Sequence, residues 1–254
     1  MAGDKKSKRQ ARREQAQKKE NQKRLITILL IVLGAAFVLY AVLAPTLRPV
    51  AEVTTVETHE RYMADDNSMG DPNAPIQLTE FSDFQCPYCK RHYTQTEPLL
   101  EQYYINTNLV RATYRSAGNF ISQGGGTESQ DAAMAAYCAG DQNRFWQMHD
   151  ALFANNRDVE NRGSFSVQRL KAIAGTVEGL DLDAFNACLD SGKYKTRTQD
   201  DATEGTRNGM QGTPYFVITY TVDGETKTKT LDGAQPFSEF QVTLEAILNE
   251  LGLK

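Results

Sequence analysis

Cys86 and Cys89 enclose two residues, Pro87 and Tyr88, and that spacing is the strongest chemical signal in the chain. One turn of helix brings two such sulfurs together. A thiolate at the first position, where a helix begins, meets amide N–H groups that have no partner inside the helix, and the positive end of the helix dipole. Its pKa falls, and it becomes both a nucleophile and a good leaving group. Pro87 suits the first turn, since the N–H it lacks would be unpaired there anyway. The pattern predicts an exposed nucleophile at Cys86 and a resolving thiol at Cys89. Half a zinc site is the rival reading. Against it, the remaining cysteines, Cys138 and Cys188, are solitary, and His92 on the same helix cannot close a tetrahedron alone.

The elements that must position this pair can be read on either side. Ile76–Phe81 alternates apolar and polar residues as a strand does, and hands over to a helix expected from Cys86 to about Tyr104. Leu109–Tyr114 reads as a second strand, parallel to the first through a right-handed crossover. A helical block follows: Glu128–Ala139, Asn143–Ala154, Ser166–Ala174, a helix capped by Asp181 and closed by Gly192, and Tyr194–Asn208. Tyr215–Val222 and Thr226–Leu231 flank Asp223-Gly224, a two-residue hairpin signal, and Pro236 and Ser238 open a last helix to about Leu251. The order is β-α-β, helical block, β-β-α: an α/β domain over 73–254, with the insertion at about 120–210.

Residues 1–24 hold ten Lys/Arg against three acids, a net of +7, so the other 230 residues carry −11 of the total −4. An acidic body speaks against nucleic acid as partner. Residues 25–44 carry no charge and at about 1.5 Å rise per residue reach roughly 30 Å, the thickness of a hydrocarbon core. With the basic head beside them they are expected to form a transmembrane helix with the head, a solvated tail, in the cytoplasm and the rest outside. A cleaved signal peptide is the alternative; the long charged head and the length of the run oppose it. Residues 45–72 read as a tether, with a strand around Val50–Val56 as the other possibility. Outside the cytoplasm the four cysteines are free to oxidise. Cys138 and Cys188 lie on apolar helix faces and are expected to pair; two buried free thiols are the other option.

The run Pro75–Cys89 (PIQLTEFSDFQCPYC) resembles the active-site segment of the DsbA-like branch of the thioredoxin superfamily. Gly212-Thr213-Pro214 resembles that superfamily's cis-proline loop, and Phe145–Asp150 (FWQMHD) is similar to a segment common in the helical insertion. The likeness covers about residues 70–252. It implies a thioredoxin fold with a helical insertion and an extracytoplasmic thiol–disulfide oxidoreductase, monomeric, with no cofactor and no metal. Exported cysteine-containing proteins would be its substrates, and a membrane quinone-linked reoxidant of the DsbB or VKOR type its partner. Pro214 would be cis and face the cysteine pair. Thr213 would offer its backbone to an extended substrate beside Pro87 and Tyr88. Glu80 would lie beneath the pair and exchange a proton with Cys89, its alternative being a solvent-facing strand acid. Strongly oxidising members carry His where Tyr88 stands, so the direction of exchange, disulfide donor or reductase/isomerase, stays open, as does a non-catalytic peptide-binding role.

Overall fold

A computed structural model of the chain describes residues 3–43, 52–119 and 125–254. It divides into two units, Met1–Pro49 and Val50–Lys254. The first contains one helix, α1 (Gly3–Leu43). Its stretch Gln17–Val42 is long and apolar enough to cross a membrane, with Leu25, Leu29, Val32, Phe37 and Tyr40 all exposed. The helix runs on through the basic head, which was expected as an irregular tail. Lys, Arg, Gln, Glu and Ala are good helix formers, and Glu20 pairs with Arg24 one turn on.

The second unit is built on a five-stranded sheet in the order β1-β3-β2-β4-β5. These are β1 (Ser68–Met69), β2 (Ile76–Ser82), β3 (Val110–Ser116), β4 (Tyr215–Val222) and β5 (Glu225–Asp232). β2 and β3 are parallel, with Ile76 opposite Val110, while β4 runs antiparallel to β2 and β5 antiparallel to β4. Asp223 and Gly224 both have positive φ, the geometry their turn requires. Along β2, Ile76, Leu78, Glu80 and Ser82 share one face.

Between β2 and β3 lie α2 (Pro87–Gln95), α3 (Glu97–Leu100) and a π-helical turn, Glu101–Ile105. The single helix expected from Cys86 to Tyr104 is thus broken. Pro98 lacks the N–H that would bond back to Thr94, so the chain restarts at Thr96. The helical block comprises α4 (Glu128–Gly140), α5 (Phe145–Asn155), α6 (Val167–Ala174), α7 (Leu182–Ser191) and α8 (Lys195–Arg207). Asp181 caps α7 by accepting from Asp183 N and Ala184 N, and Gly192 ends it in the left-handed region. The final helix is α9 (Phe237–Glu250). The Cys138–Cys188 disulfide joins α4 to α7, with Cα atoms 5.8 Å apart.

The expected tether needs correction over its described part; 45–51 lies outside the described residues. Val53 and Val56 pack against the core, β1 adds an antiparallel edge to β3, and Arg61 is buried. Nothing local in the sequence signals this, because the partners of Arg61 are Glu97, Glu101 and Asp150, far along the chain. Gly70, with φ +94, seals the edge: a Cβ there would stand 2.6 Å from the Val110 carbonyl oxygen.

Candidate functional site

The loop between β2 and α2 is held at both ends before it presents a sulfur. Phe84 is fully buried, its ring 5.1 Å from that of Tyr114 and 4.9 Å from that of Phe153. Gln85 donates to Ser129 Oγ (2.7 Å) and accepts from Asn161 N–H (2.7 Å), which ties the loop to the helical block. Asp83 accepts from Gln85 N–H (2.8 Å) and bends the backbone back so that Cys86 N–H reaches the Asp83 carbonyl. Cys86 then occupies the N-cap of α2 with Pro87 directly after it. This is where a thiolate gains from unpaired N–H groups.

Cys86, expected to be exposed, is 3% exposed, because the loop and Thr213 close over it; both cysteines are free and buried, but unequally placed. Cys86 lines a cleft of about 680 Å³ with Pro87, Tyr88, Gly212, Thr213, Glu160 and Asp232. Cys89 is fully covered, and its sulfur accepts from Asp83 N–H at 3.4 Å. The Cys86 thiol is pulled down to about 6, chiefly by a hydrogen bond from the Cys89 thiol; Thr213 and the backbone N–H groups of Cys89 and Tyr88 add to this, against the cost of burial. Burial pushes Cys89 well up, and donating to Cys86 pushes it further. Tyr88 thus acts through its backbone, while its phenol is exposed with the Arg91 guanidinium 5.1 Å above the ring.

Across the cleft the Thr213–Pro214 peptide is cis, and the Thr213 carbonyl oxygen lies 3.5 Å from Cys86 Sγ. Thr213 is 8% exposed, at the edge of the cleft. The structure therefore brings Cys86, Cys89, Pro87, Tyr88 and Thr213 to one place. Glu80 sits on the inward face of β2, its side chain 15% exposed and 3.6 Å from the His92 ring. Desolvation raises its carboxyl to about 7 even though Ser82 stabilises the charged form. Cys138 and Cys188 lie apart from this group, in the helical block.

Asp83 is not singled out in the sequence, and His92 is weighed there only as a zinc ligand. Asp83, three positions before Cys86, is buried, and burial raises it to about 7. His92, one turn beyond Cys89, is buried on α2, where desolvation lowers it to about 3, so its ring is neutral. A polar residue facing inward one turn after the cysteine pair was the available clue.

A thioredoxin-type sheet with a Cys-x-x-Cys pair at a strand–helix junction, faced by a cis-proline loop, defines the class. Residues 63–245 match the thioredoxin family, and the chain belongs to it. It is similar to the Na(+)/H(+) antiporter NhaA 1 of Salinispora arenicola, at 31% identity over 153 residues, covering 60% of this chain and 21% of that protein. The chain thus spans about a fifth of that relative's length. It is also similar to a probable disulfide bond formation protein D of Bacillus anthracis, 24% identical over 151 residues, covering 59% of this chain and 68% of that one. Among solved structures it shares the fold of BdbD from Bacillus subtilis, with a TM-score of 0.60 and 19% identity over 78% of this chain and 99% of that one. Wolbachia pipientis alpha-DsbA1 gives a TM-score of 0.60 and 21% identity, covering 76% and 97%. The insertion-bearing thioredoxin fold expected from the sequence is the fold found.

Proposed function

We propose that this chain is a membrane-anchored thiol–disulfide oxidoreductase working outside the cytoplasm, most simply as a donor of disulfides to exported proteins. The observation that carries the reading is the asymmetry of the pair: one low-pKa thiol in an open cleft, one high-pKa thiol beneath it. In the oxidised enzyme a substrate thiolate attacks Cys86, the Cys86–Cys89 bond breaks, and Cys89 leaves with the electron pair and takes a proton. A second substrate thiolate then attacks the mixed disulfide, and Cys86 leaves as the stabilised thiolate. Thr213 would pair with the extended substrate while Pro87 and Tyr88 floor the cleft. Glu80 would supply the proton that Cys89 needs. The two electrons gained would pass to a membrane reoxidant of the DsbB or VKOR kind. The names of the Bacillus relatives favour disulfide formation over reduction. Residues 25–44 would be the anchor, with 1–24 inside the cell and the domain as a monomer outside.

The test is a trap. Cys89→Ser, expressed in cells, should accumulate mixed disulfides with exported proteins through Cys86, and Cys86→Ser should not. Equal trapping by both variants would remove the assignment of roles. A reduction potential on the reducing side of the exported substrates' own disulfides would favour the reductase reading instead.

A further inference from the structure

Beneath the cysteine pair the core is not apolar. From Glu80 a chain of ionisable side chains runs through buried protein to a second surface cleft. Glu80, His92 and Glu97 each bring a polar atom within 4.8 Å of the other two. They line a small cavity of about 20 Å³, room for one water molecule. Glu97 accepts from Arg61 (3.0 Å), and its other oxygen is 3.8 Å from His149 Nε2. Arg61, itself buried, reaches Asp150 at 2.8 Å and Glu101 at 3.3 Å. Glu101 follows Glu97 by four residues and lies 3.1 Å from the His59 ring. The His59 side chain is 64% exposed, on a cleft of about 510 Å³ lined by Glu101 and Gln102, with none of the residues of the Cys86 cleft.

Two features make this more than a polar core. Glu80 and Glu97 are close carboxylates beside the neutral His92 imidazole, and of these two Arg61 pairs with Glu97. A shared proton is the least costly way to hold them. Both carboxyls are pushed up to about 7 by burial, Glu97 against the opposing pull of His149 and Arg61. Secondly, Cys89 is fully covered even with the Cys86 cleft open. The thiolate released at Cys89 then has no bulk water to protonate it.

We propose that the proton taken up by Cys89 enters at His59 and passes by Glu101 and Glu97 to Glu80, with His92 and Arg61 as positioning residues. This deepens the oxidoreductase reading and rests on it. One proton moves in for each Cys89 thiolate released, and the electrons stay with the sulfurs. His92, held neutral, orients the Glu80 carboxyl without carrying charge. Arg61 holds Glu97, Glu101 and Asp150 together and donates to the His59 ring, and Asp150 lies within 4.8 Å of both Glu97 and His149. Cys86 faces Glu80, and Tyr93 faces Glu97 and Asp150.

The test uses the full-length chain in detergent, oxidised and mixed with a dithiol peptide, following a single turnover against pH. In the wild type the rate should fall as pH rises through about 7, where Glu80 and Glu97 lose their proton. Glu97→Gln and Glu80→Gln should each slow the step by about 100-fold at neutral pH and flatten that limb, the low end of what a positioned acid contributes. The double variant should be no slower than either single one, since both lie on one route. His59→Ala, a surface change that spares the core, should slow the step, and imidazole in the buffer should restore it. A slow Glu80→Gln beside wild-type profiles in Glu97→Gln and His59→Ala would mean that the proton enters through the Cys86 cleft, and would overturn the route alone. A metal ion retained at Glu80 and Glu97 in the purified chain would also overturn it. A wild-type chain that exchanges no disulfide removes the activity and this inference together.

Discussion

Cys86 and Cys89 are three positions apart, yet their sulfurs live in different media. One meets N–H groups at a helix mouth beside an open cleft; the other faces Asp83 N–H under full cover. Thiol reactivity follows the thiolate fraction, so alkylation separates them directly. In the reduced chain Cys86 should react with iodoacetamide at a rate that rises as pH passes through about 6, where its thiolate forms. Cys89 should stay unmodified well above that, because burial holds its proton. Mass spectrometry of the two labelled sites checks both statements. A midpoint for Cys86 at the ordinary thiol value would mean that the hydrogen bonds from Cys89, Thr213 and the backbone do not act as described. The sign also bears on stability. A thiol whose folded pKa is depressed stabilises the reduced fold above the unfolded value, and that stabilisation is lost as pH falls through the folded one. The reduced form gains relative to the disulfide form at neutral pH, which is the direction that makes a disulfide oxidising.

At the scale of elements, the Cys138–Cys188 bridge clamps α4 to α7 within the helical block. It closes a separation of 50 residues, for which the chain-entropy model gives roughly 4 kcal/mol and typical bridges give about 2–4. A double change of Cys138 and Cys188 to Ala should lower stability by about that much in urea unfolding, while Cys86 keeps its alkylation profile. Loss of the profile together with stability would mean that the block, through Ser129 and Asn161, needs the bridge to hold the loop before Cys86. What could be read beforehand at this scale was what local pattern encodes. Alternation marked β2, Asp181 and Gly192 marked both ends of α7, and Asp223-Gly224 marked the β4–β5 turn. What could not be read was set by partners distant in sequence. Arg61 fixes an otherwise patternless segment through Glu97, Glu101 and Asp150, and β1 is only two residues long. Pro98 was visible, but a helix with strong formers on both sides hid its cost. The reactive loop was legible because its geometry is local. Beyond Glu80, the ionisable groups beneath it were not, since His92, Glu97 and Glu101 sit on the segment around a helix break while Arg61 and His59 come from the stretch expected to be a tether.

For the whole molecule, charge and apolarity are distributed by segment. The first 24 residues carry +7 and the remainder −11, and between head and domain lies the apolar stretch of α1. A helix of that kind faces two fates, retention as an anchor or removal as a signal sequence, and they differ in mass and in place. An h-region needs only roughly 7–15 apolar residues, whereas the exposed apolar surface of α1 continues from Leu25 to Val42. Positive charge is held back on the cytoplasmic side during insertion, and ten Lys/Arg at one end outweigh anything at the other. Retention with the N-terminus inside is therefore expected. The mature chain in the membrane fraction should keep its basic head, read by an N-terminal tag and intact mass. Protease added to right-side-out cells should digest the Val50–Lys254 unit and leave the tag protected. High salt should not release the chain, since an inserted helix, unlike a basic patch on a lipid surface, is not held by screened charge. A soluble chain beginning after the apolar run would replace the anchor by a signal sequence and leave the cysteine chemistry as it is. A protected domain with a digested head would reverse the orientation and place Cys86 in a reducing compartment, where donating disulfides is no longer the reading the site supports.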